Sequence, residues 1–238
     1  MDRAKDERCA IDRSGIPCYP VRTRNRLLTK WEPRGDTEAR KVFLLGHART
    51  GTTSFHHAFQ KLGLNSRHSA GNWHMAKHDA FSDRGDFRPV DLYREMFPNA
   101  HFILNTRPMG PWLYSMMRHR DRPHTRKHLE NMILRRNSWF AKMLTMFDGD
   151  PRLTVVDITR PGAVNFGLSA AGLPEVELKP HSNAGPKEAQ IKSQGAYDAV
   201  KDGPLGAFFD RPFLIPELLG PNEQPRKDWF ETVRHNLA

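Results

Sequence analysis

The sequence predicts a three-layer α/β fold, a parallel sheet with helices on both faces. Three observations point to it. Apolar runs at 42–45 (VFLL), 100–107 (AHFILNTR) and 152–158 (RLTVVDI) read as buried strands. Each is followed by a segment of helical spacing, and strands alternating with helices favour parallel pairing. The first strand enters its helix through "GHARTG" (46–51), a glycine-flanked turn of the G-x-x-x-x-G frame, which makes the fold P-loop-type.

The elements follow in order. Residues 1–40 are polar and arginine-rich and read as a basic N-terminal extension; 41–238 form one α/β domain. From Thr52 a helix runs to about Leu62, with Phe55, Ala58, Phe59 and Leu62 on one face and Gly63 as its stop. Residues 64–90 are rich in Ser, His, Asn, Asp and Gly and read as a long loop with room for short strands. "VDLYREMFP" is a short helix ended by Pro98, and "PMGPWLYSMMRHR" a helix with proline in its first turn. Residues 126–147 form a long helix striped by Leu129, Met132, Ile133, Phe140, Met143, Leu144 and Phe147, and Pro161 to Gly172 form another. Beyond 180 the pattern dissolves. Residues 181–238 read as a Gly/Pro-rich lid region, within which "AFFDRPFLIPELLG" is apolar enough to pack back onto the domain.

Composition narrows the function classes. With 238 residues and a hydrophobic fraction of 38% the chain has material for a core. No run of 18 apolar residues is present, so no membrane span is expected. The N-terminal segment has no apolar leader, and the expected location is the cytoplasm. The two cysteines, Cys9 and Cys18, read as free thiols, and no Cys/His cluster has zinc spacing. The formal charge of +10 favours an anionic partner.

The loop specifies that anion further. A strand–turn–helix junction aims several N–H groups at one point, and the helix N-terminus adds partial positive charge. Thr52, Thr53 and Ser54 add hydroxyls. Thr52 stands where nucleotide triphosphatases carry lysine, and the nearest cation is Arg49, inside the loop. The loop thus suits an oxyanion better than a magnesium-bound nucleoside triphosphate.

At this point the sequence resembles the sulfotransferases that use 3′-phosphoadenosine 5′-phosphosulfate (PAPS). "RTGTTS" (49–54) is similar to their 5′-phosphosulfate loop, with Arg49 at the place of its basic residue. "FILNTRPMGPWLYS" (102–115) is similar to their 3′-phosphate site, a strand ending in arginine with a serine eight positions later: Arg107 and Ser115. "LTVVDI…LKPHSN" echoes a later strand and a P-H-x-N stretch. The likeness covers roughly 41–183; a C-terminal Arg-Lys-Gly arm has no counterpart. The resemblance implies PAPS as donor, 3′-phosphoadenosine 5′-phosphate (PAP) as product, and no metal requirement. It places Arg49, Thr50, Gly51, Thr52, Thr53 and Ser54 at the phosphosulfate, and Arg107 and Ser115 at the 3′-phosphate. The acceptor must lose a proton to a general base, expected in "NSRHSAGNWHMAKHDAFSD": Asp83 first, then His74 and His68. Trp73 and Phe81 are candidates for an acceptor pocket. The acceptor itself, a glycan, a lipid or a small alcohol, is open. Two other classes stay in view: a P-loop kinase of a small metabolite using Mg-ATP, and a basic nucleic-acid-binding domain. Against the second, the arginines are dispersed and no nucleic-acid-binding signature is present.

Overall fold

A computed structural model describes residues 40–68, 77–119, 123–178, 192–223 and 233–237. Residues 1–39 with both cysteines, Trp73, His74 and the 180–183 stretch lie outside the described residues. Among the described residues the sheet has six strands, all parallel, in the order β2-β3-β1-β4-β5-β6. They are β1 (Val42–Leu44), β2 (Ser66–His68), β3 (Ala80–Ser82), β4 (His101–Thr106), β5 (Leu153–Asp157) and β6 (Arg234–His235). The helices are α1 (Thr52–Lys61), α2 (Val90–Met96), α3 (Met109–His119), α4 (Arg126–Met146), α5 (Ala163–Ala170) and α6 (Gln194–Lys201). Short 3₁₀ turns lie at Gly85–Phe87, Pro204–Phe208 and Pro216–Leu218. No helix among the described residues is long and apolar enough to cross a membrane.

The side-chain period of two sends alternate residues of each strand to opposite layers. On one face Phe43 stacks between Phe81 and Phe102 of the flanking strands, ring centroids 4.9 and 5.3 Å away. Tyr93 and Phe97, from α2 and its end, and Phe140 and Phe147, from α4 and its end, close that layer. On the other face Val42, Leu44, Ile103 and Val156 meet Phe55 and Phe59 of α1 and Leu168 of α5. Gly167 is required there: a Cβ would stand 2.8 Å from the Phe55 ring. Phe81 is therefore a core residue, fully buried, and not the acceptor-pocket aromatic that the sequence suggested.

Two stretches hold more structure than their composition suggests. The polar segment 64–90, read as a loop with room for short strands, contributes two strands to the sheet, β2 and β3, which pair in parallel with each other, and β3 pairs with β1. Within the expected lid region, 192–223 is packed structure. α6 lies on α4, and Val200, Phe209, Phe213, Leu214 and Ile215 are buried, so the "AFFDRPFLIPELLG" segment packs back as its composition implied. It is stapled down by Asn137 of α4, which donates to the Ile215 carbonyl (3.0 Å) and accepts from the Ile215 amide (2.7 Å). It also caps α3. The Met109 and Gly110 amides, which a helix start leaves unpaired, donate to the carbonyls of Arg211 and Phe209.

The order of strands places the site. β1 and β4 are neighbours. β1 leads into α1 in one layer, and β4 leads into α3, which joins α4 in the other. Helices that leave adjacent strands toward opposite faces open a crevice at the carboxyl ends of those strands, where parallel α/β sheets hold ligands.

Candidate functional site

β1 delivers residues 45–51 to that crevice, and the loop is fixed from three sides. Asn105 of β4, fully buried, donates to the carbonyl and the hydroxyl of Thr50 (2.8 and 2.7 Å) and accepts from the Gly46 amide (3.0 Å). One side chain thus pins both ends of the loop. Trp112 of α3 donates its indole N–H to the Ala48 carbonyl at 3.1 Å. The Thr50 hydroxyl donates to the His47 carbonyl at 2.6 Å. Gly51 takes φ 85°, and a Cβ there would collide with Ile158, so only glycine turns the chain into α1. No side chain caps α1 and no acid sits in its first turn, so its positive end is offered to the crevice.

A cavity of about 500 Å³ lies over this loop. It runs along the carboxyl rim of the sheet. Arg49, Gly51, Thr52, Thr53 and Ser54 form its floor. Arg107, Ser115 and His119 line the β4 side, and Ile158 and Thr159 follow β5. His68 and Asp83 line the opposite end, after β2 and β3. Of the residues expected at the donor site, Thr50 alone stands apart: it is fully buried, its hydroxyl and carbonyl both engaged within the loop, and its role is to shape the loop.

The cations are closer together than the sequence suggested. Arg49 and Ser115, expected at opposite ends of a donor, touch: Arg49 Nε donates to Ser115 Oγ at 3.0 Å. Arg107 Nη1 reaches the Arg49 carbonyl at 3.4 Å, and its Nε is buried without a hydrogen bond. Burial first, and the Arg49 charge second, pull the Arg107 guanidinium below its ordinary value, while Asp157 opposes them. Behind it lies Arg136 of α4, 3% exposed. Its Nη2 donates to the Arg107 carbonyl (2.5 Å), the Thr106 hydroxyl (2.6 Å) and the Pro212 carbonyl (3.0 Å). Its guanidinium lies 4.7 Å from the Trp112 ring centroid and 5.2 Å from that of Phe140. Its Nε and Nη1 are buried without a partner, and burial, with the Arg107 charge next, lowers its pKa to about 9. The buried Asp157 opposes this on Arg136 as it does on Arg107, but one carboxylate leaves Arg49, Arg107 and Arg136 in surplus. Buried charge in surplus is costly, and a net positive crevice of this kind is stabilised by an anion.

The opposite end has a different chemistry. His68 Nδ1 shares a hydrogen bond with the Ser82 hydroxyl at 2.8 Å, and its Nε2 is outside that bond. Its ring stacks on His56 of α1 at 5.2 Å, and His56 Nδ1 pairs with Ser66 Oγ at 2.8 Å. Burial is the main cause that lowers the His68 pKa, with Asp83 opposing, so the imidazole is neutral at pH 7. Asp83 holds φ 75° and Arg84 φ 55°; with Arg49 at φ 68° they are the non-glycine residues in the left-handed region among those described. Two of the three line the cavity, and such strain gathers at functional sites.

A buried pair stands beside the loop. His47 Nε2 lies 3.8 Å from Asp86 Oδ2, with the side chains 12% and 11% exposed. Burial pushes His47 down to about 3 and Asp86 up to about 7. Between about pH 4 and 7 the folded chain keeps the Asp86 proton that the unfolded chain has lost, so this group makes stability fall as pH rises. His47, neutral when folded and charged when unfolded from about pH 3 to 6.5, makes it rise, and the two offset each other. Asp86→Asn removes one side of the balance. Its stability relative to wild type should therefore climb between pH 4 and 7, by at most about 1.4 kcal/mol per pH unit. Urea denaturation across that range measures this; a difference that stays constant with pH contradicts the assignment.

Asn105, Arg136, Ser82 and His119 were not singled out from the sequence. Asn105 carried a signal, a polar residue within an apolar strand and two positions before Arg107, hence on the same side of β4. Arg136 also falls on the apolar stripe of α4, between Ile133 and Phe140. No family model and no curated protein matches the chain.

Proposed function

We propose that the chain is a PAPS-dependent sulfotransferase, which moves a sulfuryl group to a hydroxyl or amine acceptor. The observation that carries this reading is the convergence of the loop cation Arg49 with Arg107 and Ser115 in one cavity, beside a helix N-terminus, with the acidic residue of the lining, Asp83, at the opposite end. The orphaned Arg107 Nε and the surplus of arginine charge over the buried carboxylate Asp157 fit a ligand with more than one anionic group.

PAPS supplies the sulfuryl group and leaves as PAP. The loop and the first turn of α1 suit its 5′ end; Arg107 and Ser115 suit its 3′-phosphate. In the transfer a bond forms from the acceptor oxygen or nitrogen to sulfur, and the bond from sulfur to the 5′-phosphate oxygen breaks. That oxygen takes the electron pair, and Arg49 is placed to stabilise the charge it gains. The acceptor proton goes to a base at the other end of the cavity. Asp83 follows β3, the strand paired directly with β1, whereas His68 ends β2, one strand further out. With strands about 4.8 Å apart, Asp83 is the nearer to the loop, so it is the base, and His68 is placed to pass the proton outward. Asp83→Asn should lower turnover by about 10²–10⁴-fold with PAP affinity unchanged, and His68→Gln by a smaller factor. Near-full activity in Asp83→Asn with a dead His68→Gln would make the histidine the base.

The activity itself is tested with PAPS carrying radiolabelled sulfate against a panel of anionic glycans, lipids and small alcohols. Labelled product with equimolar PAP is expected from at least one class. Phosphorylation of a panel member from Mg-ATP, with no sulfate transfer to any, would replace this reading with a kinase.

A further inference from the structure

The donor side of the cavity contains one residue that the reading above leaves without a task. His119 lies in the last turn of α3, exposed, and lines the cavity beside Ser115. The two are four positions apart, so they share a helix face with Cβ atoms about 6 Å apart. The rotation of that face is fixed by packing. Met109, Trp112, Leu113 and Met117 are buried against α4 and the C-terminal segment, which turns Ser115 and His119 toward the crevice. The neighbouring cation, Arg118, is turned elsewhere, over the Tyr114 ring at 5.9 Å. The carboxylate of the cavity, Asp83, belongs to its opposite end, beyond β1.

Resting on the donor assignment above, we propose that His119 completes the grip on the donor's second phosphate, so that Arg107, Ser115 and His119 together select a 3′-phosphorylated nucleotide. A terminal phosphate presents three acceptor oxygens. Arg107 and Ser115 approach from the strand end and the middle of α3, and a third donor is needed on the side that faces solvent. An imidazole N–H one turn beyond Ser115 supplies it. Because the residue is exposed, its role is in selection and not in folding.

The test is calorimetric titration of wild type, His119→Ala and His119→Gln with PAP and with adenosine 5′-monophosphate, which lacks the 3′-phosphate. Wild type should prefer PAP. His119→Ala should weaken PAP binding about tenfold, the loss of one charge-assisted hydrogen bond. Binding of the monophosphate should change by less than about twofold, and the melting temperature of the free protein should not move. His119→Gln, which keeps an N–H donor, should recover part of the loss. Unchanged PAP binding in His119→Ala, or equal weakening of both nucleotides, overturns the inference and leaves the donor assignment standing. A wild type that binds both nucleotides equally overturns the donor assignment and the inference with it.

Discussion

Arg49→Ala should lower turnover by about 10²–10³-fold with donor saturating, the largest effect expected of any side chain in the loop. Arg49 lines the cavity together with the first turn of α1, where on the proposed reading charge on a departing phosphate oxygen appears, and Ser115 accepts from its Nε. The interaction strengthens only as that charge grows, so the loss falls on turnover more than on donor affinity. The backbone at this position has φ 68°, a strain that alanine inherits, so truncation does not relax the loop. Arg49→Lys should recover part of the rate: it restores a charge but not the fork that reaches Ser115. Near-normal turnover in the alanine variant would place the loop's cation elsewhere.

Arg107→Ala should weaken PAP binding by about 2–4 kcal/mol while slowing saturated turnover far less. The stability of the ligand-free protein separates this role from a structural one. Arg107 sits beside Arg49 and against the buried Arg136, and its own Nε has no partner. Its removal relieves repulsion, so the free protein should melt no lower than wild type, while the rise in melting temperature caused by PAP should shrink. In this variant the preference for PAP over adenosine 5′-monophosphate should shrink to the part that Ser115 and His119 supply. A preference as large as that of the wild type would contradict the assignment.

The layers of the fold were legible where apolar runs met helical periods. β1, β4 and β5 and the helices that follow them are carried by hydrophobic pattern, and their bounds lie within one or two residues of those read from the sequence. β2 and β3 were not legible as sheet members. They are three residues each, and "SRH" has no apolar residue; pairing with neighbours, not local pattern, makes them strands. β6 is two residues joined to β5, and α6 owes its place to packing on α4 and α3. At the site, the loop, Arg107, Ser115, His68 and Asp83 were legible by motif or by residue type, and the structure brings all of them to one cavity. The supports were harder to see. Arg136 looks like any arginine of a long helix until its burial is known, and Asn105 acts across a strand pair that sequence distance hides. The contact between Arg49 and Ser115 is set by the angle of α3 over the loop, and no spacing rule encodes it.

On the function proposed, this cavity holds a nucleotide with two separate anionic ends through arginines, a serine and a helix N-terminus. Calorimetric titration of the full chain with PAP, in buffer containing EDTA, tests it most directly. Binding with a dissociation constant of about micromolar, abolished or strongly weakened in Arg107→Ala, is the predicted result. No binding of PAP in EDTA, together with tight binding of Mg-ATP, would contradict it.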